Sequence, residues 1–75
     1  MPKPKPPAPP TKSSIGARMR AAREAAGLTQ VELAARLGVR QAQVSLYESG
    51  AREPGAVLLW RWAQAIGCDV GALVG

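Results

Sequence analysis

The sequence contains no histidine and a single cysteine among its 75 residues. The lack of histidine excludes an imidazole base and a histidine-ligated metal. One cysteine can form neither an internal disulfide nor a four-cysteine zinc site. No apolar run approaches the roughly 18 residues of a membrane span, and no apolar segment follows the basic N-terminus as it would in a secretory signal. We therefore expect a reduced, cytoplasmic protein without a metal, a cofactor or a membrane partner.

Acidic residues are also few, since five Asp and Glu stand against ten Lys and Arg, which gives a net charge of +5. A chain this short can bury only one modest core, so we predict one domain, which is too small for most enzymes. The positive balance favours an anionic partner, and nucleic acid is the first candidate.

The first 12 residues differ in composition from the rest of the chain, because they hold six of the seven prolines, three lysines and no acid. Proline removes backbone donors, and this stretch has nothing with which to build a core. Residues 1–13 are therefore predicted to be a disordered, basic, Pro-rich tail, and residues 14–75 a domain with a net charge of +2. The tail is either an inert leader or a basic arm that contacts phosphates or the minor groove.

Five short helices are predicted from residue 14 onward, and no segment has the sustained alternation of a β-strand, so the fold class is all-α. Glycine supplies the left-handed residue that ends many helices, and it recurs at helix-length intervals, at Gly27, Gly38, Gly50 and Gly67. Ser13 or Ser14 is predicted to cap the first helix. Its inward stripe comprises Ile15, Met19, Ala22 and Ala26.

The second helix begins with a capping box at residues 29–32. The Thr29 hydroxyl can accept a hydrogen bond from the Glu32 amide, while the Glu32 carboxylate accepts one from the Thr29 amide. Leu28 and Leu33 flank this cap as a hydrophobic staple requires. Gly38 is predicted to end this helix.

The third helix, predicted over residues 41–49, follows Gly38 after two residues, which is typical of a helix-turn-helix. At about 100° per residue, Val44, Tyr47 and Glu48 lie on its inner face. The outer face is short and uncharged, and it comprises Ala42, Ser45, Leu46 and Ser49, with Gln41 at its margin.

The fourth helix, predicted over residues 57–66, has more apolar surface than one face can bury. Its inward stripe comprises Leu59, Trp62, Ala63 and Ile66. Asp69 is predicted to cap a last turn that returns Leu73 to the core. The apolar residues off the stripe are either scattered on the surface or form a homodimer patch of Val57, Leu58, Trp60, Val70 and Val74.

Residues 15–74 resemble the phage-repressor-like helix-turn-helix family of the Cro/C1, or XRE, type. The strongest stretch is Gly27-Leu28-Thr29-Gln30-x-Glu32-Leu33-Ala34-x-x-Leu37-Gly38-Val39, and the match continues with Gln41, Val44, Ser45, Glu48, Ser49, Gly50, Arg52, Pro54, Leu59 and Ala63. The resemblance implies an all-α, five-helix DNA-binding domain whose second helix crosses the DNA backbone while the third enters the major groove. Such domains usually bind as dimers to two half-sites about one helical turn apart.

The resemblance also suggests which residues contact DNA. Gln41 is the best base-reading candidate, because its amide offers a donor and an acceptor that match adenine N6 and N7. Leu46 cannot hydrogen-bond a base, so it packs on a thymine methyl or binds protein instead. The full set of base-contact candidates is Gln41, Ala42, Ser45 and Leu46. The phosphate candidates are Gln30, Arg40 and Arg52, with Arg20 and Arg18 as weaker ones.

Three charged residues receive further roles from the resemblance. Arg40 takes the N-cap position of the third helix, where the family usually has serine or threonine, and an arginine cannot cap, at a cost of about 1 kcal/mol. We hypothesise that its charge is retained for a phosphate or guanine contact. Arg23 and Glu48 are expected to form an internal ion pair that ties the first helix to the third.

These expectations lead to a sequence-specific regulator of transcription that binds double-stranded DNA. It is expected to be a repressor or autoregulator that binds a palindromic operator as a homodimer, in the bacterial nucleoid or encoded by a phage. The alternative is a protein-interaction module, antitoxin-like or an adaptor that retains the fold, with weak or no specific DNA binding. We expect no small-molecule ligand and no enzymatic activity, since no nucleophile and base can be paired.

Overall fold

The computed structural model describes the backbone of residues 12–74 and the side chains of residues 15–73. The described part of the chain is all-α, as predicted, and contains no strand. Most of the predicted tail lies outside the described residues. The five helices are α1 (Lys12–Ala25), α2 (Gln30–Leu37), α3 (Gln41–Ser49), α4 (Ala56–Ile66) and α5 (Gly71–Val74).

Helix α1 begins at Lys12, before the serines that were predicted to cap it. Ser13 and Ser14 therefore lie within its first turn, and the assignment of either as the N-cap is wrong. The last proline of the N-terminal stretch is Pro10, so every later backbone amide of this segment can enter the helix. At the other end, Ala26 lies beyond the helix and is exposed, so its assignment to the inward stripe is also wrong.

The two ends of α2 are formed by local sequence signals. The Glu32 amide donates to the Thr29 hydroxyl at 3.1 Å, and the Thr29 amide donates to the Glu32 carboxylate at 3.0 Å, which confirms the capping box. Gly38 follows α2 with a φ of 72°. This left-handed conformation suits glycine and lets the chain turn at once into α3.

The core lies between the five helices. Helix α3 packs on α1 and α2, α4 packs on α2 and α1, and α5 packs on α1. Each of the five helices contributes one of its largest fully buried side chains, which are Met19, Leu33, Val44, Trp62 and Leu73. Complete burial of such side chains contributes about 1.5–3 kcal/mol each. The Trp62 indole nitrogen donates to the Met19 carbonyl at 3.2 Å, so the one polar atom of this ring is satisfied and α4 is tied to α1.

Helix α1 approaches α3 at Gly16, which is buried. A Cβ at this position would lie 2.7 Å from the Glu48 carbonyl oxygen, and closer still to the Tyr47 carbonyl oxygen. No side chain fits between these two backbones. The absence of a side chain at this position therefore sets the distance between α1 and the carboxyl half of α3.

Two arginines connect the carboxyl ends of α2 and α4 in a reciprocal way. Arg36 of α2 donates to the Ala65 carbonyl of α4 at 2.9 Å, and Arg61 of α4 donates to the Leu37 carbonyl of α2 at 2.5 Å. The last carbonyls of a helix lack intrahelical partners and carry partial negative charge. Each arginine therefore completes the end of the other helix.

None of the helices within residues 12–74 combines the length and apolar character needed to cross a membrane.

Candidate nucleic-acid interface

Helices α2 and α3 form a helix-turn-helix in which one face of α3 is left open to solvent. The turn between them consists of Gly38, Val39 and Arg40. Val44 and Glu48 are buried and Tyr47 is half-buried, which confirms the predicted inner face. The predicted outer face is exposed along the whole helix, at Gln41, Ala42, Ser45, Leu46 and Ser49.

A buried ion pair lies directly beneath this helix. The Arg23 Nε donates to Glu48 Oε2 at 2.6 Å, and Arg23 Nη2 donates to Glu48 Oε1 at 3.1 Å. Arg23 Nη1 also donates to the Leu28 carbonyl at 2.7 Å. The hydrogen bond to Glu48 is the main reason why the pKa of Arg23 lies above its ordinary value, and burial acts in the opposite direction. The pair ties α1 to α3, as a bidentate arginine–carboxylate contact can.

Hydrogen bonds lead from this ion pair to the exposed surface. Glu48 Oε1 also accepts from Gln30 Nε2 at 3.0 Å, and Gln30 Oε1 accepts from Gln41 Nε2 at 3.2 Å. The buried Glu48 therefore fixes the side chain of Gln30, and Gln30 in turn fixes the side chain of Gln41. Sequence reasoning found all four residues but missed the link between them, because separations of 18 and 11 residues follow no local spacing rule.

The exposed Gln41 side chain keeps hydrogen-bonding groups that no described residue uses. Its amide uses one donor toward Gln30, and the side chain has a second N–H and a carbonyl oxygen. The major-groove edge of adenine offers the N6 donor and the N7 acceptor, which pair with an acceptor and a donor presented together in one plane. The contact with Gln30 lowers the number of side-chain orientations that must be frozen when a base is bound.

Positive charge lies at both ends of α3. Arg40 occupies its N-cap position, is exposed, and makes no capping hydrogen bond through its side chain, as the sequence predicted. Arg52 is exposed in the loop after the helix, and its backbone amide donates to the Leu46 carbonyl at 3.2 Å. Within the described residues, neither guanidinium has a hydrogen-bond or ion-pair partner. The face between these two arginines carries no charged side chain.

The other arginines of the domain differ in their availability. Arg23, Arg36 and Arg61 are used in the internal contacts described above. Arg20 lies 3.3 Å from the Glu24 carboxylate in an exposed ion pair, which is a weak interaction in water. Arg20 therefore has a nearby acid that sequence reasoning did not associate with it, and Arg18 is exposed on the same helix.

Three of the acids in the domain have structural contacts. Glu48 belongs to the ion pair, and the Asp69 carboxylate accepts from the Gly71 amide at 3.2 Å. The Thr29 amide lowers the pKa of Glu32. Because the folded-state pKa is depressed, this contact stabilises the domain above the ordinary titration range of glutamate and is lost as the pH falls through the lowered pKa. No metal-ligating cluster occurs among the described side chains.

The apolar residues off the inward stripe of α4, and those of the last turn, differ in their exposure. Val57 is 73% exposed and Trp60 is 57% exposed, whereas Leu58 is half-buried and Val70 packs partly against the core. The side chain of Val74 lies outside the described residues. Val31 on α2 is also an exposed apolar residue, at 61%. The sequence does not predict the exposure of Val31, because a single apolar residue inside a capping box can be either buried or exposed.

Comparison with known proteins gives consistent results. The family model described as Helix-turn-helix matches residues 19–73. The clp gene regulator ClgR from Corynebacterium glutamicum is 30% identical, with a TM-score of 0.82 over 88% of this chain and 86% of that chain. The restriction-modification controller protein C.AhdI from Aeromonas hydrophila is 31% identical, with a TM-score of 0.78 over 83% of this chain and 94% of that chain. No curated protein sequence matches.

One further solved structure places the same fold within a longer chain. HppE, in its apo form, is 25% identical with a TM-score of 0.79, over 88% of this chain but only 37% of the HppE chain. The likeness concerns a minority of HppE, so it assigns none of that protein's chemistry to this chain. The helix-turn-helix geometry, the family match over residues 19–73 and the similarity to two gene-regulatory proteins agree with one another. This chain belongs to the XRE, or Cro/C1, type of helix-turn-helix family, whose members are DNA-binding regulators of transcription.

Proposed function

We propose that this protein is a sequence-specific repressor or autoregulator that inserts α3 into the major groove of a palindromic operator. The observation that carries the proposal is the hydrogen-bonded connection from the Arg23–Glu48 ion pair through Gln30 to Gln41. It holds two polar side chains beside an uncharged helix face that has an arginine at each end. That pattern complements base edges flanked by phosphates.

The base contacts are assigned to the outer face of α3. Gln41 bonds adenine through its amide, and Ser45 donates to or accepts from a neighbouring base. Ala42 and Leu46 supply apolar contacts. The four side chains are exposed, so they reach a ligand without rearrangement of the fold.

The phosphate contacts are assigned to the margins of this face. Arg40 and Arg52 lie at the two ends of α3, and Gln30 opens α2, where the helix dipole and the free backbone amides favour an anion. Arg20 adds a contact from α1 once it exchanges Glu24 for a phosphate. These contacts fix the register of the protein on the duplex but carry no sequence information themselves.

A homodimer is the assembly we propose on the DNA. Two-fold symmetry of the protein matches a palindromic site, with half-sites about one helical turn apart. The exposed pair Val57 and Trp60 is the best apolar surface for the contact between copies, with Leu58, Val70 and Val74 as its further members. We place the protein in the cytoplasm, at the bacterial chromosome or encoded by a phage.

Selection from random-sequence DNA, followed by a salt titration on the recovered duplex, tests this function. We expect an inverted repeat, and a log–log plot of affinity against salt concentration with a slope of about −0.9 for each phosphate neutralised. Mutation of the recovered half-site should abolish the preference but retain much of the slope. Recovery of no common sequence, together with a flat salt dependence, would instead favour the protein-interaction module, for which the exposed Leu46 is the supporting observation.

Replacement of Arg40 by serine is expected to change stability and affinity in opposite directions. Serine caps α3 where arginine does not, so the free energy of unfolding should rise by about 1 kcal/mol. Loss of the charge should weaken DNA binding and reduce the salt slope by about 1 per protomer. Urea denaturation and fluorescence anisotropy measure the two quantities.

The matched control for this change is Arg40→Ala, which removes the charge without adding a cap. It should reduce the salt slope as much as serine does and leave stability close to that of the wild type. An Arg40→Ser protein with unchanged affinity and unchanged salt slope would remove Arg40 from the set of phosphate contacts.

A further inference from the structure

The outer face of α3 lacks the bidentate cationic donors that most often read guanine. Arginine and lysine are the side chains that bond guanine O6 and N7, and α3 contains neither. Its one charged residue, Glu48, is buried in the ion pair. The arginines stand outside the helix, at its ends. The centre of the proposed groove-facing surface is therefore limited to neutral contacts.

Leu46 is the largest side chain on this face and is 39% exposed. Ala42 lies four residues earlier, so the two side chains are neighbours on the same side of the helix. Their surroundings are polar, with Ser45 between them in sequence, Gln41 at one end and Arg52 beyond the other. The two residues therefore form a small apolar spot within a polar surface.

The size of this spot indicates what covers it. One leucine and one alanine offer far less than the apolar core of a stable protein–protein contact, which buries on the order of 1,000 Å² or more in total. A single methyl group is the ligand that such a spot matches in size. The only methyl group on the major-groove edge of unmodified DNA is the 5-methyl of thymine.

We infer that Leu46, supported by Ala42, is a specificity-determining residue that reads the 5-methyl group of a thymine in each half-site. This inference rests on the proposed function. Gln41 and Leu46 are separated by about 7.5 Å along the helix, which corresponds to about two base-pair steps. The thymine therefore lies within a few base pairs of the adenine read by Gln41. A 5-methylcytosine presents the same methyl group at the same edge, so Leu46 contacts that methyl group when 5-methylcytosine replaces the thymine.

Substitution of deoxyuridine for thymine tests the inference, because it removes the methyl group and leaves base pairing unchanged. The probe is the duplex recovered by the selection, with each half-site thymine replaced in turn. We expect one or two positions at which the wild-type protein loses affinity about fourfold, the equivalent of about 0.8 kcal/mol for one buried methyl group. At those positions, the Leu46→Ala protein should bind the thymine and deoxyuridine duplexes with equal affinity.

Three controls make the result specific. Leu46→Met keeps an apolar side chain and should retain the preference for thymine. Val31→Ala trims an exposed apolar side chain on α2 and should keep the wild-type ratio between the two duplexes. Replacement of the critical thymine by cytosine, and then by 5-methylcytosine, should show part of the affinity returning with the methyl group in the wild type but not in Leu46→Ala.

The outcomes separate this inference from the function on which it rests. Specific, salt-dependent binding that is insensitive to deoxyuridine at every thymine overturns the methyl contact and leaves the regulator intact. Equal deoxyuridine sensitivity in the wild type and Leu46→Ala overturns the role of Leu46. Absence of any preferred duplex overturns both.

Discussion

Replacement of Glu48 by alanine is expected to lower the free energy of unfolding by about 3–5 kcal/mol, because it leaves the buried Arg23 guanidinium without its partner. Gln30 loses its acceptor at the same time. A core of this size rarely supplies more than about 3–5 kcal/mol, so the variant should be largely unfolded at 25 °C. Circular dichroism during urea denaturation measures the change.

Two further variants keep this prediction informative if Glu48→Ala does not fold. Glu48→Gln retains an acceptor for Gln30 and part of the contact with Arg23, so it should lose less stability and remain measurable. Glu24→Ala removes the exposed partner of Arg20 and should cost only a few tenths of a kcal/mol. If Arg23→Ala or Glu48→Ala kept wild-type stability and lost only DNA binding, the pair would belong to the interface and not to the fold.

Replacement of Gly16 by alanine is expected to cost about 1–3 kcal/mol or more. The added Cβ meets the backbone carbonyls of Tyr47 and Glu48, which cannot rotate away as a flexible side chain could. Relief of the clash requires α1 to move away from α3, which also lengthens the hydrogen bonds between Arg23 and Glu48. Thermal unfolding should show a lower midpoint, and affinity for the selected duplex should fall with it.

Gly71→Ala is the matched control for that change. A Cβ at Gly71 lies 3.9 Å from the Asp69 carboxylate, which is ordinary contact distance, and the added methyl restricts the unfolded chain. Stability should therefore stay the same or rise slightly. A Gly16→Ala protein as stable as Gly71→Ala would mean that α1 and α3 tolerate a wider separation than their packing indicates.

Local sequence signals predicted most of the fold correctly, because the features they describe depend on near neighbours. The capping box at Thr29 and Glu32 needs only a spacing of three residues, and the burial pattern of α3 follows from the 3.6-residue period. Helix ends at glycine follow the same logic. Errors arose where the signal was weak, at the start of α1 and at Ala26, because helix ends depend on which backbone groups find partners.

Contacts between helices could not be predicted from spacing. The link from Gln30 to Gln41 and the crossed contacts of Arg36 and Arg61 arise only once the helices dock. The close approach at Gly16 also depends on how the helices dock, because the sequence around a glycine within a helix does not reveal which element packs against it. The ion pair of Arg23 and Glu48 was accessible through family resemblance, whereas its extension to the surface was not.

The crossed arginines constrain how this domain can be recombined with its relatives. A chimera that takes α2 from one protein and α4 from another keeps both backbone carbonyls but replaces Arg36 or Arg61, so the carboxyl end of one helix loses its donor. The smallest segment that can be exchanged intact therefore runs from the start of α2 to the end of α4. Grafting of a new DNA preference is best confined to the outward positions of α3, because the hydrogen bonds of Arg36 and Arg61 do not involve this helix.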